Sequence, residues 1–145
     1  MDIMRAKSLV ILLVLAAAAT NRLAAQDTVA VAGPADTLVV LWSSGDPEVA
    51  EKACLMYTSY AKTRGWFKEV ILLAWGPSER LMAENDMVKE KVAAMQKAGV
   101  IVQACVVCAN MYDVTDELKV CSVDVRGTGG LLTKYIKRGY KMIAF

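Results

Sequence analysis

From Thr37 onward the chain alternates short apolar runs with longer stretches in which apolar residues recur every three or four positions. "TLVVLW" (37–42) is almost wholly apolar and ends in "SSGD", the pattern of a buried strand followed by a turn. In "PEVAEKACLMYTSYAKTRG", Val49, Ala53, Met56 and Tyr60 fall at helical spacing. Asp46 is placed to cap that helix, Pro47 fits its first turn and Gly65 supplies its stop. "FKEVILLAW" (67–75) predicts a second strand, and "GPSERLMAENDMVKEKVAAMQKAG" a helix broken near Asn85–Asp86 and closing at Gly99. "VIVQACVV" (100–107) predicts a third strand, with short helices over Val107–Tyr112 and Thr115–Leu118 after it. "KVCSVDV" (119–125) predicts a fourth strand, "GTGGLLTKYIKRGY" the last helix and "KMIAF" a closing strand.

Strands this apolar, alternating with helices, need cover on both faces, which implies an α/β fold: a parallel sheet in a three-layer α/β/α sandwich. The loops that follow the strands of such a sheet share its carboxyl edge, where ligands bind. Here they are 43–46, 76–79, the Cys105–Cys108 segment and 126–130. Ser44, Gly45, Gly76, Pro77 and Gly127 are the candidate substrate-contacting positions on that rim.

Residues 1–25 have a different pattern. Arg5 and Lys7 precede the apolar run Leu9–Ala19, which is too short for a lasting membrane anchor, and "RLAAQ" offers small residues before Gln26. The expectation is a secretory signal over 1–25, a tether over 26–36 and one domain over 37–145, exported to the periplasm without stable membrane insertion after cleavage. An uncleaved anchor is the competing reading of the same run. Cleavage removes Arg5, Lys7, Arg22 and Asp2, leaving 14 basic and 14 acidic residues, so the basic balance of the whole chain belongs to the leader. No basic stripe with interleaved aromatics is present, which argues against a nucleic-acid partner.

The chain of 145 residues contains no histidine, which excludes Ser-His and Cys-His pairs and imidazole metal ligands. A nucleophile must be activated by some other group. The candidates are Cys105 and Cys108, two thiols spaced Cys-Val-Val-Cys where a strand gives way to a helix. A cysteine there meets the unpaired amides and positive end of the helix, which favour the thiolate. Cys105, at or before the first turn, is the better nucleophile, and Cys108, one turn on, could resolve what Cys105 forms. Three other readings compete. A structural zinc site lacks a second Cys-x-x-Cys, because Cys54 and Cys121 are single and far apart. A structural disulfide would close too small a loop to stabilise much. The third is plain burial of two small apolar side chains.

Cys54, in the first helix, and Cys121, in the fourth predicted strand, read as core residues. "GTGG" at a helix start could cradle an anion, but it lacks the spacing of a dinucleotide fingerprint. Asp46 reads as a helix cap rather than an acid catalyst. Trp42 and Trp75 end strands near the rim, where they could wall a pocket or pack in the core. No motif implies a cofactor or a bound metal.

"VVLWSSGDPEVAEKAC", "VILLAWGPSERLM", "AGVIVQACVVCANMYDV" and the closing "GYKMIAF" together resemble the DsrE/DsrF-like family, which includes sulfur-relay proteins of the DsrE and TusD type. The resemblance covers 37–145. It implies a three-layer α/β/α sandwich with a five-stranded parallel sheet, assembled as a homotrimer or homohexamer. It also implies that Cys105, after the third strand, carries sulfur as a persulfide, with donor and acceptor proteins or small thiols as partners. Asp113-Val114 stands where the family often has Gly-Val. Cys108 stands where the relay proteins commonly have alanine, so the chain is similar to a Cys-x-x-Cys branch. The best-known relays work in the cytoplasm, whereas this chain reads as exported. The functional expectation is a sulfur carrier or thiol-redox protein using Cys105 and Cys108. The alternative is a small-ligand-binding or assembly module whose cysteines are inert.

Overall fold

A computed structural model describes residues 33–145; the expected signal and most of the expected tether lie outside the described residues. The last tether residues, Pro34–Asp36, form a 3-10 turn leading into β1 (Thr37–Trp42). A helix over 47–63, α1, follows: Pro47–Val49 and Leu55–Thr63 are α-helical and Ala50–Cys54 is a π-helical segment between them. Next come β2 (Glu69–Ala74), α2 (Pro77–Glu84), α3 (Asp86–Lys97), β3 (Ile101–Cys105), α4 (Val106–Met111) and α5 (Thr115–Val120). β4 (Asp124–Arg126), α6 (Thr128–Lys137) and β5 (Lys141–Ala144) complete the chain.

The expected caps are in place. Asp46 Oδ1 accepts the Glu48 and Val49 N–H groups at 2.7 and 3.1 Å. Asn85 interrupts the second helical stretch by capping α3, its Oδ1 accepting the Val88 N–H at 3.1 Å.

All five strands are parallel, in the order β4-β3-β2-β1-β5. That order decides where the helices lie. Right-handed crossovers that step the same way across a sheet fall on one face, and a crossover stepping back falls on the other. The connections from β1 to β4 all step one way, so α1 to α5 share a face. Their side chains, including Cys54, Leu55, Met82, Val88, Val92, Ala109 and Leu118, form one buried core with Val40, Trp42, Leu72 and Val102 of the sheet. α6 returns from β4 to β5 across the opposite face, where Tyr135 packs with Val39, Ile71 and Leu73. The α/β fold with helices on both sides of a five-stranded parallel sheet is therefore as expected, with most of the core on one side.

The fourth strand differs from its expectation over 119–125. Lys119 and Val120 continue α5 around the buried Leu118, and the strand begins only at Asp124. Cys121 is accordingly not a core strand residue: it caps the carboxyl end of α5 and is half-buried. Asp113, between α4 and α5, has φ 58°, a left-handed conformation that glycine adopts most easily and aspartate tolerates. Among the described residues, no helix is long and apolar enough to cross a membrane.

Candidate active site

β3 passes directly into α4 with no intervening loop. Cys105 is both the last residue of the strand and the N-cap of the helix, and Cys108 is the third helical residue. One turn of helix thus folds the second thiol back towards the first. The two sulfurs and a carboxylate oxygen of Glu79 lie within 4.8 Å of one another.

Four groups donate to the Cys105 sulfur. Although burial opposes its charge, the Cys108 N–H, the Cys108 thiol, the Val107 N–H and the Thr128 hydroxyl together hold its pKa below the ordinary thiol value. Cys108 moves the other way. Burial raises its pKa, as do its donation to Cys105, the charge on Cys105 and the neighbouring Glu79, while the Gly76 N–H opposes them. The pair titrates as a unit in which the first proton comes off Cys105.

Thr128 is the first residue of α6 and fully buried. It reaches the thiol because β4 pairs with β3 in a register that sets Arg126 beside Cys105. The Arg126 guanidinium turns back along its strand to Asp124, at 2.6 Å. Half-buried Trp75 stands near the start of α6: its ring lies 3.9 Å from where a Cβ on Gly129 would project.

Glu79 was not among the candidates from sequence. It occupies the first turn of α2, where a glutamate usually caps its own helix, and it does so here by accepting the Gly76 N–H at 3.3 Å. Gly76 makes this turn at φ 75° and ψ −132°, a combination open essentially to glycine alone. The same Oε1 accepts the Cys105 N–H at 3.0 Å, so the cap also ties α2 to the end of β3. Oε2 is buried with no hydrogen-bond partner. Burial outweighs the two N–H donors and pushes the carboxyl pKa up to about 7. The sequence signal for this residue was the Gly76-x-x-Glu79 capping pattern; its burial depends on the neighbouring strand.

The five rim positions divide. Gly76 and Gly127 flank the dithiol, the first through its N–H and the second as the residue before Thr128. Ser44 and Gly45 serve their own turn: the Ser44 hydroxyl accepts the Asp46 N–H at 3.1 Å, and a Cβ on Gly45 would meet the Pro77 Cβ at 2.9 Å. Gly45 and Pro77 line a groove of about 290 Å³ with Arg80, Leu81, Glu84 and Asn85, and neither cysteine lines it. Trp42 is wholly buried core. Cys54 and Cys121 stand outside the cluster of Glu79, Cys105 and Cys108, so the four cysteines do not form a closed zinc site.

No family model matches the chain, and no curated protein matches it. Among solved structures it is similar to a conserved protein of unknown function, BT1422, from Bacteroides thetaiotaomicron. The identity is 29% and the TM-score 0.74, over 77% of this chain and 96% of that one.

Proposed function

We propose that this protein handles sulfane sulfur or thiol-redox equivalents through Cys105, with Cys108 as the resolving thiol. The observation that carries the reading is the geometry of the pair: Cys108 sits one helical turn from Cys105 beside Glu79. Two amides, the Cys108 thiol and the Thr128 hydroxyl donate to the Cys105 sulfur, which lowers its pKa while that of Cys108 is raised. The resemblance to sulfur-relay proteins supports a persulfide as the loaded form.

The Cys105 thiolate attacks a sulfane sulfur of a polysulfide, or one sulfur of a small disulfide. The S–S bond breaks and its electron pair leaves with the shorter polysulfide or the released thiolate. Cys108 then attacks the Cys105 sulfur. Cys105–S–SH and HS–Cys108 become a Cys105–Cys108 disulfide and hydrogen sulfide, and small thiols return the disulfide to the dithiol. Export and assembly as a homotrimer or homohexamer belong to the same proposal, the first from residues 1–25 and the second from the family resemblance.

The test is intact-mass measurement of the purified protein after polysulfide treatment, with Cys105→Ser and Cys108→Ser alongside. Added mass of whole sulfur atoms on the Cys108→Ser protein, absent from Cys105→Ser, is the expected result. The wild type should lose added sulfur with time and end two hydrogens lighter. No sulfur uptake and no disulfide in the wild type would overturn the reading in favour of inert cysteines.

A further inference from the structure

We propose that Glu79 accepts the proton of Cys108 when that thiol resolves the loaded Cys105, an inference that rests on the thiol-exchange reading above. Cys108 is a poor nucleophile as it stands, because its neighbours favour the thiol. It must lose a proton as it attacks, and the chain has no histidine to take it. The groups within 4.8 Å of its sulfur include one carboxylate oxygen, that of Glu79. One water or a small rotation of the cysteine side chain spans such a separation.

A purely structural role for Glu79 leaves one atom unexplained. Oε1 alone holds the Gly76 and Cys105 N–H groups. A wholly buried carboxyl with its second oxygen unpartnered is costly as a staple, since the charge must be kept out of water. As a proton acceptor, that oxygen is the vacant position. With a pKa of about 7, Glu79 changes protonation state near neutrality and can both take a proton from a thiol and return it to a departing thiolate.

The reaction balances without a further reagent. The proton leaves Cys108 for Glu79 as the new S–S bond forms and the old one breaks. It then passes to the departing hydrosulfide or thiolate, leaving Glu79 ionised again. The titratable groups that face the carboxyl are Cys105 and Cys108. Arg80, next on α2, lies over the Tyr112 ring at 5.3 Å. On α3, Asp86 pairs with Lys89, and on α5 Asp116 pairs with Lys119. Lys91 of α3 is half-buried and pairs with Glu51 of α1 at 3.5 Å, and Glu84 of α2, Glu90 and Lys97 of α3 and Glu117 of α5 are surface groups.

The experiment uses an aromatic disulfide whose released thiolate is coloured, mixed rapidly with the reduced protein across the pH range in a Cys121→Ser background. The first release reports attack by Cys105 and the second reports resolution by Cys108. In the wild type the second phase should accelerate as pH rises through about 7. Glu79→Gln should slow that phase at neutral pH by roughly tenfold or more and remove its inflection, with the first phase within about threefold of wild type. A second phase unchanged in rate and pH dependence would overturn the role of Glu79. If Glu79→Gln does not fold, Glu79→Asp carries the test: it should retain the inflection with a slower second phase, and a folded Asp variant without the inflection would overturn the proposal. A wild type that shows no second phase sinks the underlying thiol-exchange reading instead.

Discussion

Cys54 and Cys105 are both almost fully buried, at 0% and 5% exposure, yet their thiols differ in opposite directions from the ordinary value. Cys54 lies on the buried face of α1, where burial pushes its pKa up to about 12 and Thr58 offers the one opposing hydrogen bond. Cys105 is lowered because four donors converge on it from the first turn of α4 and from α6. Glu79 is intermediate: two N–H groups share one of its oxygens and the other has none. Enclosure alone therefore does not make a reactive group here. The number of donors that the fold aims at the charged atom decides the sign.

The largest expected effect tests that contrast directly. At neutral pH, Cys54 should carry at least ~1000-fold less thiolate than Cys105. Timed alkylation of the native protein followed by peptide mapping should show Cys105 modified first and Cys54 unmodified until urea exposes it. Comparable native rates for the two would break the comparison.

The next effect concerns stability. A carboxyl raised to about 7 keeps its proton in the folded chain at pH values where the unfolded chain has lost it. Its contribution is thus fully favourable below the ordinary carboxylate pKa and declines as pH rises through about 7. Glu79→Gln, which cannot ionise, should gain on the wild type by roughly 2–3 kcal/mol between mildly acidic and mildly alkaline pH. Urea midpoints at the two ends of that range measure it, and parallel pH profiles for both proteins would remove Glu79 as the buried acid.

The smallest effect sharpens the donor count. Thr128→Val keeps the shape of the side chain and removes one of the four donors to Cys105. The thiol should titrate higher, with less thiolate at mildly acidic pH. The ultraviolet absorbance of the thiolate against pH reads this, and an unshifted curve would show that the amides of α4 suffice.

Most of the architecture was legible in the pattern of apolar residues. β1, the cap at Asp46, the break at Asn85 and the strand-to-helix passage at Cys105 follow local rules, and the chain obeys them. β4 was misread because "KVCSVDV" is rich in β-branched residues. Leu118 instead anchors a final helical turn, and Ser122 reverses the chain at φ 58°. The place of Cys105 at a helix start was legible for the same local reason as the caps. The donors to its sulfur were less so: the Val107 and Cys108 amides follow from the helix start, but Thr128 arrives through the pairing of β4 with β3. Glu79 was hidden because "GPSERLM" is indistinguishable from an exposed capped helix until β3 covers it.

The strand order has a consequence for how the thiol acquires its chemistry during folding. β1 to β4 are laid down in sequence, each beside the last, and could form with only short-range crossovers. α6 must then recross the sheet so that β5 closes against β1, the most distant pairing in the molecule and a slow one to find. A chain that has completed β3 but not yet paired β4 with it has the two amides of α4 for Cys105 but lacks a docked Thr128. Its sulfur is closer to an ordinary thiol, less able to attack the other cysteines of the same chain or of its neighbours. The full set of donors to the Cys105 sulfur is thus a late product of the topology, complete only when the fourth strand joins the third.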